Sequence, residues 1–102
     1  MESNQRLHPR LALDVRVNFD YDAIAHAQDI SEGGICLITE SALTADRILR
    51  LSFTLPGRPS SIECFGKVMW TKLATEHLHQ SGIGFWEIQD PDRAEVQAFL
   101  IG

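Results

Sequence analysis

A mostly β fold, a six-stranded antiparallel β-barrel with one short C-terminal α-helix, is what this sequence predicts. Three observations carry the expectation. Six segments alternate apolar and polar residues with period two, each bounded by Gly, Pro, Asp or Ser turn signals. Only the last dozen residues change to helical spacing. Strands this short, in a chain of 102 residues, would leave exposed edges in an open sheet, and closure removes them.

The elements follow in chain order. Over residues 11–19, Leu11, Leu13, Val15, Val17 and Phe19 alternate with Ala12, Asp14, Arg16 and Asn18, which makes a strand with one buried face. Asp20-Tyr21-Asp22 is a turn, and residues 23–30 are the return strand, with His26 on the solvent side. Ser31-Glu32-Gly33-Gly34 punctuates, because two glycines permit backbone angles closed to other residues. Residues 35–39 form a short apolar strand and 40–47 a polar loop. In residues 48–55, Leu49, Leu51, Phe53 and Leu55 recur at every second position, and Pro56-Gly57-Arg58-Pro59 turns the chain. Residues 61–70 put Ile62, Cys64, Val68 and Trp70 on one face and Glu63, Phe65, Lys67 and Met69 on the other, with Gly66 marking a bulge or sharp bend. Residues 71–80 are expected to be a polar connection and 82–88 the last strand. Asp90 can then cap a helix that begins at about residue 91 with Pro91 in its first position. Val96, Phe99 and Leu100 form its apolar stripe, to be buried across one barrel mouth.

Composition narrows the function. A 102-residue chain is one domain, with a core large enough to fold alone. No run of about eighteen apolar residues is present to span a bilayer, and the N-terminus lacks a secretory apolar core. Cys36 and Cys64 lie in apolar, strand-like sequence without CxxC spacing and read as buried, reduced and inert, which fits a cytoplasmic protein. Nine basic residues against fourteen acidic ones give a net charge of −5. Grip on a long nucleic-acid backbone needs a broad basic face, so a nucleic-acid partner is not expected. A small anion held by a few local arginines remains compatible with that charge.

Two stretches carry chemistry. Arg6-Leu7-His8-Pro9-Arg10 sets two arginines four apart, with Pro9 withholding a backbone donor and biasing His8 toward extended geometry. Residues 1–10 therefore read as a flexible arm ahead of a domain over 11–102. Asp29-Ile30-Ser31-Glu32-Gly33-Gly34 brings a carboxylate, a hydroxyl and glycine-exposed amides to one strand end. Alone, the first is a solvated tail and the second an ordinary turn. In this order, Arg6-xxx-Arg10 followed by Asp29-x-Ser31-xx-Gly34 with a hairpin between, the chain resembles the PilZ domain family of bacterial cyclic diguanylate receptors. The likeness runs nearly end to end, through Gly66-Lys67-Val68-Met69-Trp70, Gly82-Ile83-Gly84-Phe85 and the terminal helix.

The resemblance implies a barrel whose arginine arm wraps cyclic di-GMP against its outer surface. It assigns Arg6, Arg10, Asp29, Ser31, Gly33 and Gly34 to the ligand, with His8, Gln5 and Trp70 as possible additions. It implies no cofactor beyond that ligand, and an effector protein that reads the change. The residue types suit the chemistry. Guanine O6 and N7 match an arginine fork, and its N1–H and amino donors need an acceptor such as a carboxylate. Guanidinium groups also stack on purines and pair with phosphates. Gln5 stands where many members carry another basic residue, which tilts the expectation toward one ligand per protomer.

Other constellations are weaker. His77-Leu78-His79 has no third ligand near it in sequence, short of the three a catalytic zinc requires. Ser31 has no histidine close in sequence to activate it, and no residue set makes an enzyme. Two rival readings remain, a PilZ-like adaptor that binds protein without nucleotide and a generic β-barrel binder of single strands. The intact motifs disfavour the first and the acidic balance the second.

Overall fold

A computed structural model describes residues 10–102. Six strands, β1 (Leu11–Phe19), β2 (Ala23–Ser31), β3 (Gly34–Thr39), β4 (Ile48–Thr54), β5 (Ser61–Leu73) and β6 (His79–Ile88), precede one helix, α1 (Asp90–Ile101). The strands close into an antiparallel barrel in the order β1-β2-β3-β6-β5-β4. The seam between β1 and β4 is short, with Asn18 facing Ser52 and Phe19 facing Leu51. Closure leaves no strand without two neighbours and so protects the backbone of a small all-β unit.

Alternation decides the inside. Leu49, Leu51 and Phe53 from β4, Ile62 and Val68 from β5, and Ile35 and Leu37 from β3 meet in one buried cluster. Each large aliphatic removed from water there contributes roughly 1.5–3 kcal/mol. Leu11 is the exception on β1, 41% exposed where alternation would bury it. It sits at the strand's outer end, beyond the reach of the core. The 40–47 loop is not wholly polar. Leu43 is buried in the core, and the loop is pinned to β5 by Asp46 N–H to Val68 O (2.7 Å) and Val68 N–H to Arg47 O (2.9 Å).

The turns divide their conformational demands unexpectedly. Gly33 and Gly34 do not adopt positive φ; in the β1–β2 turn Asp20 (φ 52°) and Tyr21 (φ 77°) do so instead. Asp20 is held there by Arg47 and by the Arg50 amide at 3.2 Å. At the β4–β5 turn Pro56 and Gly57 (φ 74°) bring Arg58 N–H to Leu55 O at 3.1 Å, the geometry that requires glycine in third place.

The helix begins one residue earlier than its sequence signal. Gln89, extended and without a side-chain cap bond, holds the N-cap position, and Asp90 is already helical. Asp90 therefore does not cap; with Asp92 it places negative charge in the first turn, where the helix dipole favours it. Val96 is buried and Phe99 and Leu100 pack against the core. The helix is tied to the β4–β5 turn by Arg58–Glu95 (2.8 Å) and to the β2–β3 turn by Gln97 Nε2 donating to Glu32 Oε2 (2.6 Å). The Arg58 hydrogen bond holds the Glu95 carboxyl below the usual carboxylate range. So the helix lies across the barrel end where those two turns emerge.

The stretch 71–80 differs most from expectation. Thr71, Lys72 and Leu73 continue β5, and His79 and Gln80 begin β6, so the connection shrinks to a tight turn closed by Ala74 N–H to Leu78 O (2.8 Å). Lys72 pairs with Gln80 and Leu73 with His79, and Gln80 and His79 face Ile38 and Thr39 of β3 on their other side, so the sheet continues while Thr71, Lys72 and Leu73 stay exposed.

Candidate functional site

On the outside of the barrel, two neighbouring strands present almost no side chain over part of their length. Toward the helix end the outward positions of β3 and β6 are Gly34, Cys36, Gly82 and Gly84, with Gly34 facing Gly84 and Cys36 facing Gly82, and the next outward pair is Ile38 facing Gln80. A Cβ on Gly34 would overlap the Ile83 carbonyl oxygen deeply. Glycine at 34 is thus demanded by the packing of β3 against β6, whatever else it does. The result is a low floor flanked by β2 on one side and β5 on the other.

Both flanking strands are bulged. On β2 the register slips between Ala27 and Asp29, so Gln28 and Asp29 both leave the inward row while Ala27 and Ile30 stay buried. On β5 the register slips between Val68 and Trp70, so Met69 and Trp70 both point outward. Simple alternation placed Trp70 on the inner face with Val68; the bulge reverses it, and Trp70 is 40% exposed. A second slip falls between Phe65 and Gly66, but there Phe65 faces Glu87 and Gly66 faces Phe85, so the extra residue is Trp86 on β6 rather than a bulge in β5 at Gly66.

The β2 wall is polar. Arg10 Nη1 lies 2.5 Å from Asp29 Oδ1, with both side chains roughly a third exposed. Ser31 is buried, and its Oγ accepts the Gly33 amide at 3.2 Å. Gly33 in turn accepts Phe85 N–H at 2.9 Å, which links the turn to β6. Arg10, Asp29, Ser31, Gly33 and Gly34 are thereby gathered at one end of the floor. Arg6, His8 and Gln5 lie outside the described residues.

The β5 wall is apolar. A Cβ on Gly82 would run into the Trp70 indole, and one on Gly84 would sit 3.3 Å from Met69 Cγ. The missing side chains of β6 let Trp70 and Met69 fold down onto its backbone as a platform facing Asp29 across β3. Trp70 is therefore separated from Asp29 and Ser31 by three interstrand steps, and from Gly34 by two, rather than joined to them. Sequence reasoning missed Met69, Gln28, Gln80 and the floor glycine Gly82. The spacing Gly82-x-Gly84 was the available signal.

Cys36 corrects another expectation. It is buried, but on the outer face, beneath polar neighbours: its Sγ lies 3.6 Å from Gln28 Oε1, which accepts Gln80 Nε2 at 2.6 Å. Burial first, then the Asp29 charge, pushes this thiol's pKa up. Cys64 is the core thiol, raised to about 12 mainly by burial. Neither is activated. His26 is exposed as expected and lies 2.5 Å from Asp14. Beside Arg10, on the helix side, an open cavity of about 430 Å³ is lined by Leu11, Glu32, Gln97, Leu100 and Ile101. Among the described residues no helix is long and apolar enough to cross a membrane.

Solved structures share this fold. The Bacillus subtilis inhibitor of motility MotI/DgrA aligns with a TM-score of 0.82 at 20% identity, over 95% of this chain and 49% of that one. The PilZ domain of Escherichia coli YcgR with c-di-GMP aligns with a TM-score of 0.73 at 10% identity, over 95% and 89%. Borreliella burgdorferi PlzA in complex with c-di-GMP gives 0.63 at 18% identity, over 95% and 41%. The chain spans about half the length of MotI and less of PlzA. The search of curated proteins returned no match. The family description "PilZ domain" matches residues 4–102, and with its six-stranded barrel and terminal helix in place, the chain belongs to the PilZ domain family.

Proposed function

We propose that this protein binds cyclic di-GMP in the trough between the bulges of β2 and β5 and relays the event to a partner protein. The single observation that carries the reading is the Arg10–Asp29 pair at the rim of a floor built from Gly34, Cys36, Gly82 and Gly84. Those two groups are complementary to the two edges of guanine, a fork for O6 and N7 and an acceptor for N1–H and the amino group. A guanine entering the site exchanges one ion pair for hydrogen bonds on both partners. Arg6 adds a second guanidinium from the arm, for stacking or phosphate. Ser31 and the Gly33–Gly34 amides line the near end, and Trp70 with Met69 offers an apolar face for the second base. Two structural relatives of the same fold are described with c-di-GMP, which supports this choice of ligand.

In this reading the relay runs through the segment that carries Arg6 and Arg10, whose contacts with the ligand change the surface that a partner meets. The reaction is recognition only, with no covalent step. The protein is expected to act in the cytoplasm, where this messenger would reach it.

Calorimetric titration with cyclic di-GMP, against GTP and a linear dinucleotide, tests the reading. Arg6→Ala and Arg10→Ala are each expected to remove most of the affinity while the ligand-free melting temperature holds. Wild-type protein that ignores the messenger, or variants that bind as well as wild type, would overturn it. A second reading, a nucleotide-independent adaptor, is favoured by the exposed Trp86 (60%) and Met69 (59%) on the outer side of β5 and β6. Partner capture that is indifferent to cyclic di-GMP would decide for it.

A further inference from the structure

Lys72 stands two residues beyond Trp70, on the exposed end of β5, paired with Gln80 of β6. Its ammonium lies 5.7 Å from the centroid of the Trp70 ring, and among the described residues it forms no ion pair. At the opposite wall Arg10 is already engaged by Asp29. Three interstrand steps separate Asp29 on β2 from Trp70 on β5, about 14 Å at the backbone. Cations confined to one rim cannot serve both ends of a ligand filling that width. The Cys36 thiol, on the floor between, registers both rims: Arg10 and Lys72 each draw its pKa down, against the larger upward push of burial and Asp29.

Resting on the reading of the trough as a cyclic di-GMP site, we propose that Lys72 is a second phosphate contact, leaving the Trp70 ring for the ligand's far phosphodiester. The exchange is favourable because an ammonium over an exposed ring is weakly held, whereas a phosphate oxygen gives it a charge-assisted hydrogen bond. Lysine suits that task, being a compact point charge on a flexible stem. Its departure exposes the indole face just as the second base arrives. The site is thereby matched to a ligand with two phosphodiesters rather than to a mononucleotide.

The experiment uses the full chain carrying Trp86→Phe, so that emission reports Trp70 alone. Cyclic di-GMP is titrated at low and high salt against this protein and against the same protein with Lys72→Gln or Lys72→Arg. Lys72→Gln is expected to bind about fivefold more weakly, the scale of one partly exposed ion pair. Its affinity should also depend less steeply on salt, because one screened charge contact is gone. Lys72→Arg should stay within about twofold of the parent, since the charge is kept. Equal affinity and equal salt dependence for Lys72→Gln, with parental binding intact, overturn the inference and leave the site reading standing. Equal loss in both variants accompanied by a lower melting temperature also overturns it, since that marks a structural lysine. A parent that fails to bind overturns the site reading itself, and this inference with it.

Discussion

The bulges of β2 and β5 that flank the floor use one backbone device for opposite ends. On β2 the extra residue turns out Gln28 and Asp29, and the wall it makes is polar, tied by Arg10–Asp29 and Gln28–Gln80. On β5 the extra residue turns out Met69 and Trp70, and the wall is apolar, lying on the glycines of β6. A bulge only frees a side chain from the core; what the freed side chain does depends on its neighbour strand. Beside β2 stand Arg10 and the small, buried Cys36, beside β5 bare backbone. Between them the same barrel gains one wall of hydrogen-bonding groups and one of flat apolar surface.

That contrast can be broken from its foundation outward. The largest effect is expected from Gly34→Val, which drives a side chain into the Ile83 carbonyl and forces β3 from β6 under both walls. It should cost about 3 kcal/mol, lowering the melting temperature by about 15 °C. A variant that melts with wild type would refute the tight floor.

Next, the walls should separate by what each variant loses. Asp29→Ala should reduce cyclic di-GMP affinity at least about tenfold, the worth of a charged hydrogen bond, and leave stability within about 1 kcal/mol. Trp70→Ala should reduce affinity about fivefold to tenfold through lost base stacking. A Trp70→Phe variant that binds as wild type, beside a weak Trp70→Ala, sharpens the assignment to a face contact. Gly82→Ala tests the platform without touching a ligand group. Because the indole it displaces is exposed, about 1 kcal/mol of stability is at stake, while affinity should fall as far as in Trp70→Ala. Unchanged affinity there would show that the indole's seat on β6 is irrelevant.

The smallest effect concerns the two thiols. Cys64 is raised to about 12 by burial, and Cys36 is raised by burial and then by Asp29. A thiol whose folded pKa exceeds its unfolded value of about 8.5 stabilises the fold fully below that pH and loses its contribution above it. Thermal melts between neutral pH and pH 10 should therefore fall, and Cys64→Ala should flatten the slope more than Cys36→Ala. A reversed order would place the deeper burial at Cys36.

Much of this architecture was legible in the chain. Leu49, Leu51 and Phe53 alternate because one face of β4 meets the core, and that local pattern is visible without a fold. So was the helix, from Val96, Phe99 and Leu100, although Gln89 rather than Asp90 holds its N-cap. The motif residues were legible through their order along the chain. The platform was not. Trp70 looked inward because period two was carried across Val68, and nothing local marks the slip between them. Lys72 and Gln80 looked like loop, because polar residues announce solvent whether they lie in a turn or at the exposed end of a sheet.

By itself, then, the sequence determined the six strands, the single helix and the position of the β2–β3 turn, because burial periodicity and turn chemistry are written within a few neighbouring residues. Only the tertiary structure decided where the strands slip, that Gly34, Cys36, Gly82 and Gly84 form one floor, and that Asp29 and Trp70 face each other across it. Those facts depend on register between strands distant in the chain. Register is set by how the whole closed barrel packs its interior, which no single segment contains.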